Sequence, residues 1–224
     1  MSETLADRWH RVQQEIAQAC EDFGRNPQDV TTIVVTKFHP ASLVRELHSL
    51  GVRHVGENRH QDAAPKQLEV ADLDLTWHFV GQLQSNKARA VAAYCDVIHS
   101  VDRDSLVDAL AKYEGYVDVF LEVNLTSVPG RGGVEPDDLV ALAEKTLTAG
   151  NLRLRGVMAV APQDESPAEA FDRVLAYRED LLRVAPEATE LSLGMSGDFV
   201  EALERGATHL RIGTAITGKR SQGA

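Results

Sequence analysis

Leu191–Gly218 reads L-S-L-G-M-S-G-D-F-V-E-A-L-E-R-G-A-T-H-L-R-I-G-T-A-I-T-G. A short apolar run ends in the small residues Ser196 and Gly197. A helix-like stretch follows over Asp198–Glu204. A second run, His209–Ile212, ends in Gly213 and Thr214. The segment therefore reads as strand, helix, strand, with small residues at both strand ends. Such residues let backbone N–H groups approach an anion closely, and a helix opening after Ser196 would add its positive end. With a lysine at another strand end, this cup suits a phosphorylated aldehyde held as a Schiff base. Lys37, in V-V-T-K-F-H-P, is that lysine.

The same alternation runs back through the chain. Leu5, Trp9, Val12, Ile16 and Ala19 recur at helical spacing, so residues 1–25 read as an amphipathic helix ended by Gly24 and Pro27. Strands are expected at 31–36, 52–56, 76–81, 97–101, 117–125, 154–160, 191–193 and 209–212. Helices are expected at 41–50, 61–70, 86–94, 103–113, 136–149, 167–183 and 198–204, with Pro65 weakening the second of these. Eight strands alternating with helices argue for parallel pairing and right-handed crossovers. That number of units in 224 residues predicts an α/β fold, a TIM-type (β/α)8 barrel over 30–218 in a single domain with an extra N-terminal helix. A doubly wound sheet is the alternative. Thr126–Gly133, T-S-V-P-G-R-G-G, reads as a flexible loop.

Composition narrows the function. The net charge of −11 argues against binding nucleic acid or anionic membranes, both of which need a basic surface. Two cysteines, Cys20 and Cys95, without C-x-x-C spacing, predict reduced thiols rather than a disulfide framework or zinc site. The N-terminus lacks a signal-peptide pattern and no apolar run reaches membrane-spanning length, so a cytoplasmic protein is expected. No H-E-x-x-H, G-x-S-x-G or P-loop pattern occurs.

Barrel strands present active residues at their C-terminal ends. Lys37 is either a desolvated nucleophile or a lysine reaching to water. Glu57 and Asn58 either orient a ring ligand or begin a turn. His78 alternates with Trp77 and Phe79, so it points away from both, as a core histidine or a ligand contact. Ser85 is a candidate helix N-cap and Lys87 a candidate second cation. Arg211 either stands beside the ligand ring or forms a buried ion pair. A cation beside a pyridine nitrogen would keep that nitrogen unprotonated and weaken the ring as an electron sink.

Taken in order, V-V-T-K-F-H-P, H-V-G-E-N, W-H-F-V-G-Q-L-Q-S-N-K, H-S-V-D, L-R-G-V-M-A-V-A-P, L-S-L-G-M-S-G-D-F and R-I-G-T-A-I-T-G resemble the pyridoxal phosphate homeostasis protein family. The resemblance runs from about Ile33 to Gly218. It implies a barrel similar to the N-terminal domain of alanine racemase. It implies pyridoxal 5′-phosphate as a Schiff base on Lys37, phosphate contacts from Ser196, Gly197, Gly213 and Thr214, and Arg211 near the pyridine nitrogen. Asn58 and Met195 are then expected to line the cofactor. It also implies a cofactor carrier acting in vitamin B6 homeostasis, with apo-enzymes that use pyridoxal phosphate as partners. One departure stands out: the loop after Asn124 often carries an acidic residue and a lysine in this family, and Arg131 stands where the lysine would fall. Arginine cannot form an imine.

A racemase needs acid–base groups on both faces of the substrate carbon. Fold-related racemases serve one face from a second domain, for which this length leaves no room. The expected protein therefore binds the cofactor without substantial catalysis, as a monomer. A racemase or lyase using pyridoxal phosphate, and a Schiff-base aldolase acting on a sugar phosphate, are the alternatives.

Overall fold

Five β-branched residues in a row, Thr31–Val35, form β1, because branched side chains fit a pleated surface covered on both faces. Seven more strands follow: β2 (His54–Glu57), β3 (Thr76–Phe79), β4 (Val97–Val101), β5 (Val117–Glu122), β6 (Leu152–Met158), β7 (Glu190–Ser192) and β8 (His209–Ile212). In this computed structural model, which describes residues 3–126, 128 and 130–218, they close in sequence order into a parallel barrel, β8 returning to β1 with Ile33 opposite Arg211. Closure excludes the doubly wound alternative. Ser127 and Pro129 of the expected glycine-rich loop lie outside the described residues.

The surrounding helices are α1 (Leu5–Asp22), α2 (Ala41–Ser49), α3 (His60–Glu69), α4 (Ala88–Ala92), α5 (Asp104–Leu110), α6 (Leu139–Thr148), α7 (Pro167–Val184), α8 (Phe199–Glu204) and α9 (Thr214–Thr217). Helix α3 runs through Pro65, anchored by buried Ala63 and Lys66. Two expected helices begin instead as 3-10 turns, Ser85–Lys87 before α4 and Pro136–Asp138 before α6. Helix α1 starts with a capping box, in which Thr4 Oγ1 accepts from the Asp7 N–H and the Asp7 carboxylate accepts from the Thr4 N–H. Its buried stripe, Leu5, Val12, Ile16, Ala19 and Cys20, packs against α8 and α9. Arg8 ties it to the end of the chain by donating to the Ile216 carbonyl at 2.6 Å.

Alternation along the strands divides the core in two. Residues such as Val34, Val55, Phe79, Ile98, Leu121 and Leu210 join one large apolar cluster beneath the helices. A separate small cluster, Val97, Phe120 and Met158, fills part of the barrel interior. That interior also holds buried polar groups, among them His78, His99, Ser192 and Arg211. Cys20 and Cys95 are both free and buried, as expected. Among the described residues, no helix is long and apolar enough to cross a membrane.

Candidate functional site

The inward phase of each strand carries the predicted residues to one mouth. Ile33 and Val35 neighbour Gly56 inside the barrel, so Lys37 and Asn58, two residues further along, fall on the same inward phase. Gly213 follows β8 and lies against Val35, where an added Cβ would sit 3.7 Å from the valine Cβ. Lys37, Asn58, Arg211 and Gly213 are thus gathered by three neighbouring strands, β8, β1 and β2. Met195, Ser196 and Gly197 come from the loop after β7. Lys37 is exposed, and among the described residues no hydrogen bond or ion pair engages its amine.

A buried ion pair lies against Thr36, the residue before Lys37. Glu57 Oε1 accepts from Lys66 Nζ and, at 2.7 Å, from Thr36 Oγ1; Lys66 Nζ also donates to the Thr36 carbonyl at 2.9 Å. Glu57 therefore braces the ends of β1 and β2 from behind rather than touching a ligand ring. Glu57 Oε2 and Asn58 Oδ1 are both buried without a hydrogen-bond partner among the described residues, and Gly81 packs so tightly on Asn58 that a Cβ there would sit 2.3 Å from the Asn58 carbonyl oxygen.

Two small features build the cup. Ser196 Oγ accepts from the Ala215 N–H at 3.2 Å, which joins the β7 loop to the first turn of α9. Gly197 opens onto free space, with nothing within 4 Å of an added Cβ. The helix expected over Asp198–Glu204 is α8, which begins at Phe199 with Asp198 as its N-cap, and the Asp198 carboxylate accepts from the Met195 N–H and folds the loop back on itself. A second helix start beside the cup, absent from the sequence reading, is that of α9, which opens at Thr214 immediately after Gly213.

Arg211 is buried, and its contacts set aside the buried ion-pair reading. Nη1 donates to Ser192 O and Oγ, both at 2.6 Å, and Nη2 to the Ala159 carbonyl at 2.8 Å. Among the described residues, no carboxylate lies within ion-pair distance of it. Burial lowers its pKa to about 10, so it remains a cation at neutral pH. Among the described residues, its Nε–H and one Nη2–H have no protein acceptor.

Other expectations change. Ser85 caps no helix; its hydroxyl faces Ser105 Oγ and accepts from Arg103 at 3.3 Å. Lys87 is exposed in the 3-10 turn, away from the cup. His78 is a core histidine, hydrogen-bonded to His54 and His99. Glu122 was missed. It ends β5 on the same inward phase as Phe120, and it lines a cavity of about 600 Å3 with Gln82, Asn124, Arg131 and Val160. This cavity shares no residue with the predicted set. Burial and the neighbouring Asp102 raise the Glu122 carboxyl to about 7, opposed by the charge of Arg211. The alternation of Asp118, Phe120 and Glu122 was the available signal. Among the described residues, no group of three or more His, Cys, Asp or Glu side chains is placed to hold a metal ion.

Residues 12–221 match the sequence profile of the alanine racemase N-terminal domain. The chain is 42% identical to the pyridoxal phosphate homeostasis protein of Pseudomonas aeruginosa over 99% of its own length and 98% of the relative's. It superposes with a TM-score of 0.79 on PipY of Synechococcus elongatus solved with PLP bound, at 38% identity, covering 91% of this chain and all of the other. Alanine racemase from Corynebacterium glutamicum, at 14% identity and a TM-score of 0.67, shares the fold over 94% of this chain and 63% of its own. With its closed barrel, its matching profile and these full-length relatives, the chain belongs to the pyridoxal phosphate homeostasis protein family, built on the alanine racemase N-terminal fold.

Proposed function

We propose that this protein binds pyridoxal 5′-phosphate covalently through Lys37 and serves vitamin B6 homeostasis as a carrier, without substantial turnover. The observation that carries the reading is Arg211, a buried cation with two unspent donors on the strand beside Lys37. The residues present fit the cofactor. Asn58 Oδ1 is a buried acceptor awaiting a donor, such as the cofactor's phenol. Ser196, Gly197, Gly213 and the N-terminal N–H of Thr214 form an open cradle for the phosphate. Met195 would lie against the ring. The bound aldehyde would supply reversible covalent attachment to an amine.

Absence of substantial catalysis follows from the same arginine. A guanidinium donates and does not release its proton at neutral pH, so it would hold the pyridine nitrogen as an acceptor. An unprotonated ring is a poor electron sink for carbanion chemistry. The carrier would then yield its cofactor to apo-enzymes that use pyridoxal phosphate.

The test is titration with pyridoxal phosphate, with borohydride trapping and peptide mapping. A visible absorption band should form, map to Lys37, and vanish in Lys37→Ala. Labelling spread over exposed lysines would overturn the assignment. Rapid racemisation of a common amino acid that depends on Lys37 would overturn the carrier reading and favour an enzyme.

A further inference from the structure

Three histidines form a row through the barrel interior. His54 Nδ1 lies 3.0 Å from His78 Nε2, His78 Nδ1 lies 2.9 Å from His99 Nε2, and His99 Nδ1 lies 2.8 Å from Ser192 Oγ. Ser192 Oγ is also the acceptor for Arg211 Nη1. His54 is the first residue of β2 and half-buried; the other four groups are buried. The row thus runs from the N-terminal mouth of the barrel to the guanidinium beside the proposed cofactor.

One fixed point assigns every hydrogen. Arginine only donates, so Ser192 Oγ accepts from it and retains its own hydrogen. Among the described residues, the one other hydrogen-bonding neighbour of that hydroxyl is His99 Nδ1. A buried hydroxyl hydrogen without an acceptor is costly, so Ser192 donates to His99 Nδ1. His99 must then carry its proton on Nε2, which donates to His78 Nδ1. His78 in turn donates from Nε2 to His54 Nδ1, leaving the His54 Nε2–H as the outward end of the row. A second proton on any ring would add a cation behind Arg211 in a dry interior. Phe120 helps keep it dry, stacked on His99 with centroids 4.6 Å apart and planes within 9°. His209 packs against the row but bonds Thr208 Oγ1 instead.

We propose that His99, His78 and His54 are positioning residues for Arg211. They form a row of neutral imidazoles, each protonated on Nε2, whose lone pairs all face the guanidinium. Aligned dipoles of this kind reinforce one another and stabilise a buried cation without neutralising it. An adjacent carboxylate would hold the arginine more tightly but cancel the positive potential at the ring nitrogen. The row lets Arg211 keep both its charge and its two unspent donors. This role for Arg211 rests on the pyridoxal phosphate reading; the tautomer assignment does not.

The experiment has two parts. Long-range proton–nitrogen spectra of histidine-labelled, cofactor-free protein should show His54, His78 and His99 neutral and protonated on Nε2 at pH 7. A ring protonated on Nδ1, or on both nitrogens, would overturn the assignment. Pyridoxal phosphate binding is then compared across variants. His99→Gln retains an acceptor towards Ser192 and a donor towards His78, and should bind within about threefold of the parent, whereas His99→Leu should lose about tenfold or more and shift the pH titration of the bound chromophore. Equal behaviour of the two variants would overturn the positioning role. Should His99→Leu fail to fold, the spectra of the unaltered protein still decide the assignment. If the unaltered protein binds no pyridoxal phosphate, the functional reading fails while the spectra judge the row independently.

Discussion

Glu57 and Asn58 are consecutive residues with opposite duties. Glu57 is held in a buried ion pair, and Asn58 keeps a buried Oδ1 without a partner for the proposed cofactor. Removing one partner of a buried pair leaves an uncompensated charge. Lys66→Met is therefore expected to destabilise the fold by about 3–5 kcal/mol in urea unfolding, with much of the loss recovered by adding Glu57→Gln. A loss below about 1 kcal/mol would mean that the pair behaves as a solvated one. Gly81 is the second sensitive residue. An alanine Cβ there would meet the Asn58 carbonyl at 2.3 Å, so the β2 end must shift. Gly81→Ala should cost about 1–3 kcal/mol in stability and weaken pyridoxal phosphate binding about tenfold. Unchanged affinity would detach Asn58 from the site.

Among the elements, the shortest matter most. Helix α9 has four residues and α8 six, yet their starts frame the cup together with Ser196. Neither is long enough to be stable alone, so both depend on packing. Helix α1 supplies it: its apolar stripe and the bonds from Arg8 and Arg11 to the Ile216 and Ala215 carbonyls hold α9 in place. Thr4→Ala removes the hydroxyl half of the capping box and should lower stability by about 1 kcal/mol, read as a shift in the urea midpoint with the slope unchanged. A change in slope would point to fraying of α1 and α9 as a separate unit.

At the scale of the molecule, a barrel core rich in histidine makes stability depend on pH. Burial holds His78 and His99 well below the ordinary histidine value, lowers His54, and takes His209 to about 4. Below about pH 6.5 the unfolded chain therefore binds more protons at these four positions than the folded chain does. Their contribution is fully present above that value and is lost as pH falls through the folded values, at about 1.4 kcal/mol per pH unit for each group. Glu122 acts in the opposite sense. Its folded value of about 7 lies above that of an exposed glutamate, so its contribution fades as pH rises from about 4.5 to 7. The four histidines outweigh it, and unfolding at pH 5.5 should take up protons. Stability that stays flat between pH 7 and pH 5 would show that the interior histidines are already charged or reached by water.

The sequence by itself determined the barrel and the strand-end residues. Eight β-branched or apolar runs alternating with amphipathic stretches admit few topologies, and period-two alternation sends Lys37, Asn58 and Arg211 to the same face as their inward neighbours. Strands β4 and β8 were legible to the residue, whereas the N-terminal helix, expected over 1–25, runs only from Leu5 to Asp22. Closure of the barrel decided the rest. It brought His54, His78, His99 and Ser192 into one row from four strands, set Lys66 against Glu57, and turned Asp198 back onto Met195. It also placed Glu122 within the field of Arg211. Those pairings join residues that local periodicity cannot connect, and hydrogen bonds and burial depend on distance in space rather than separation along the chain.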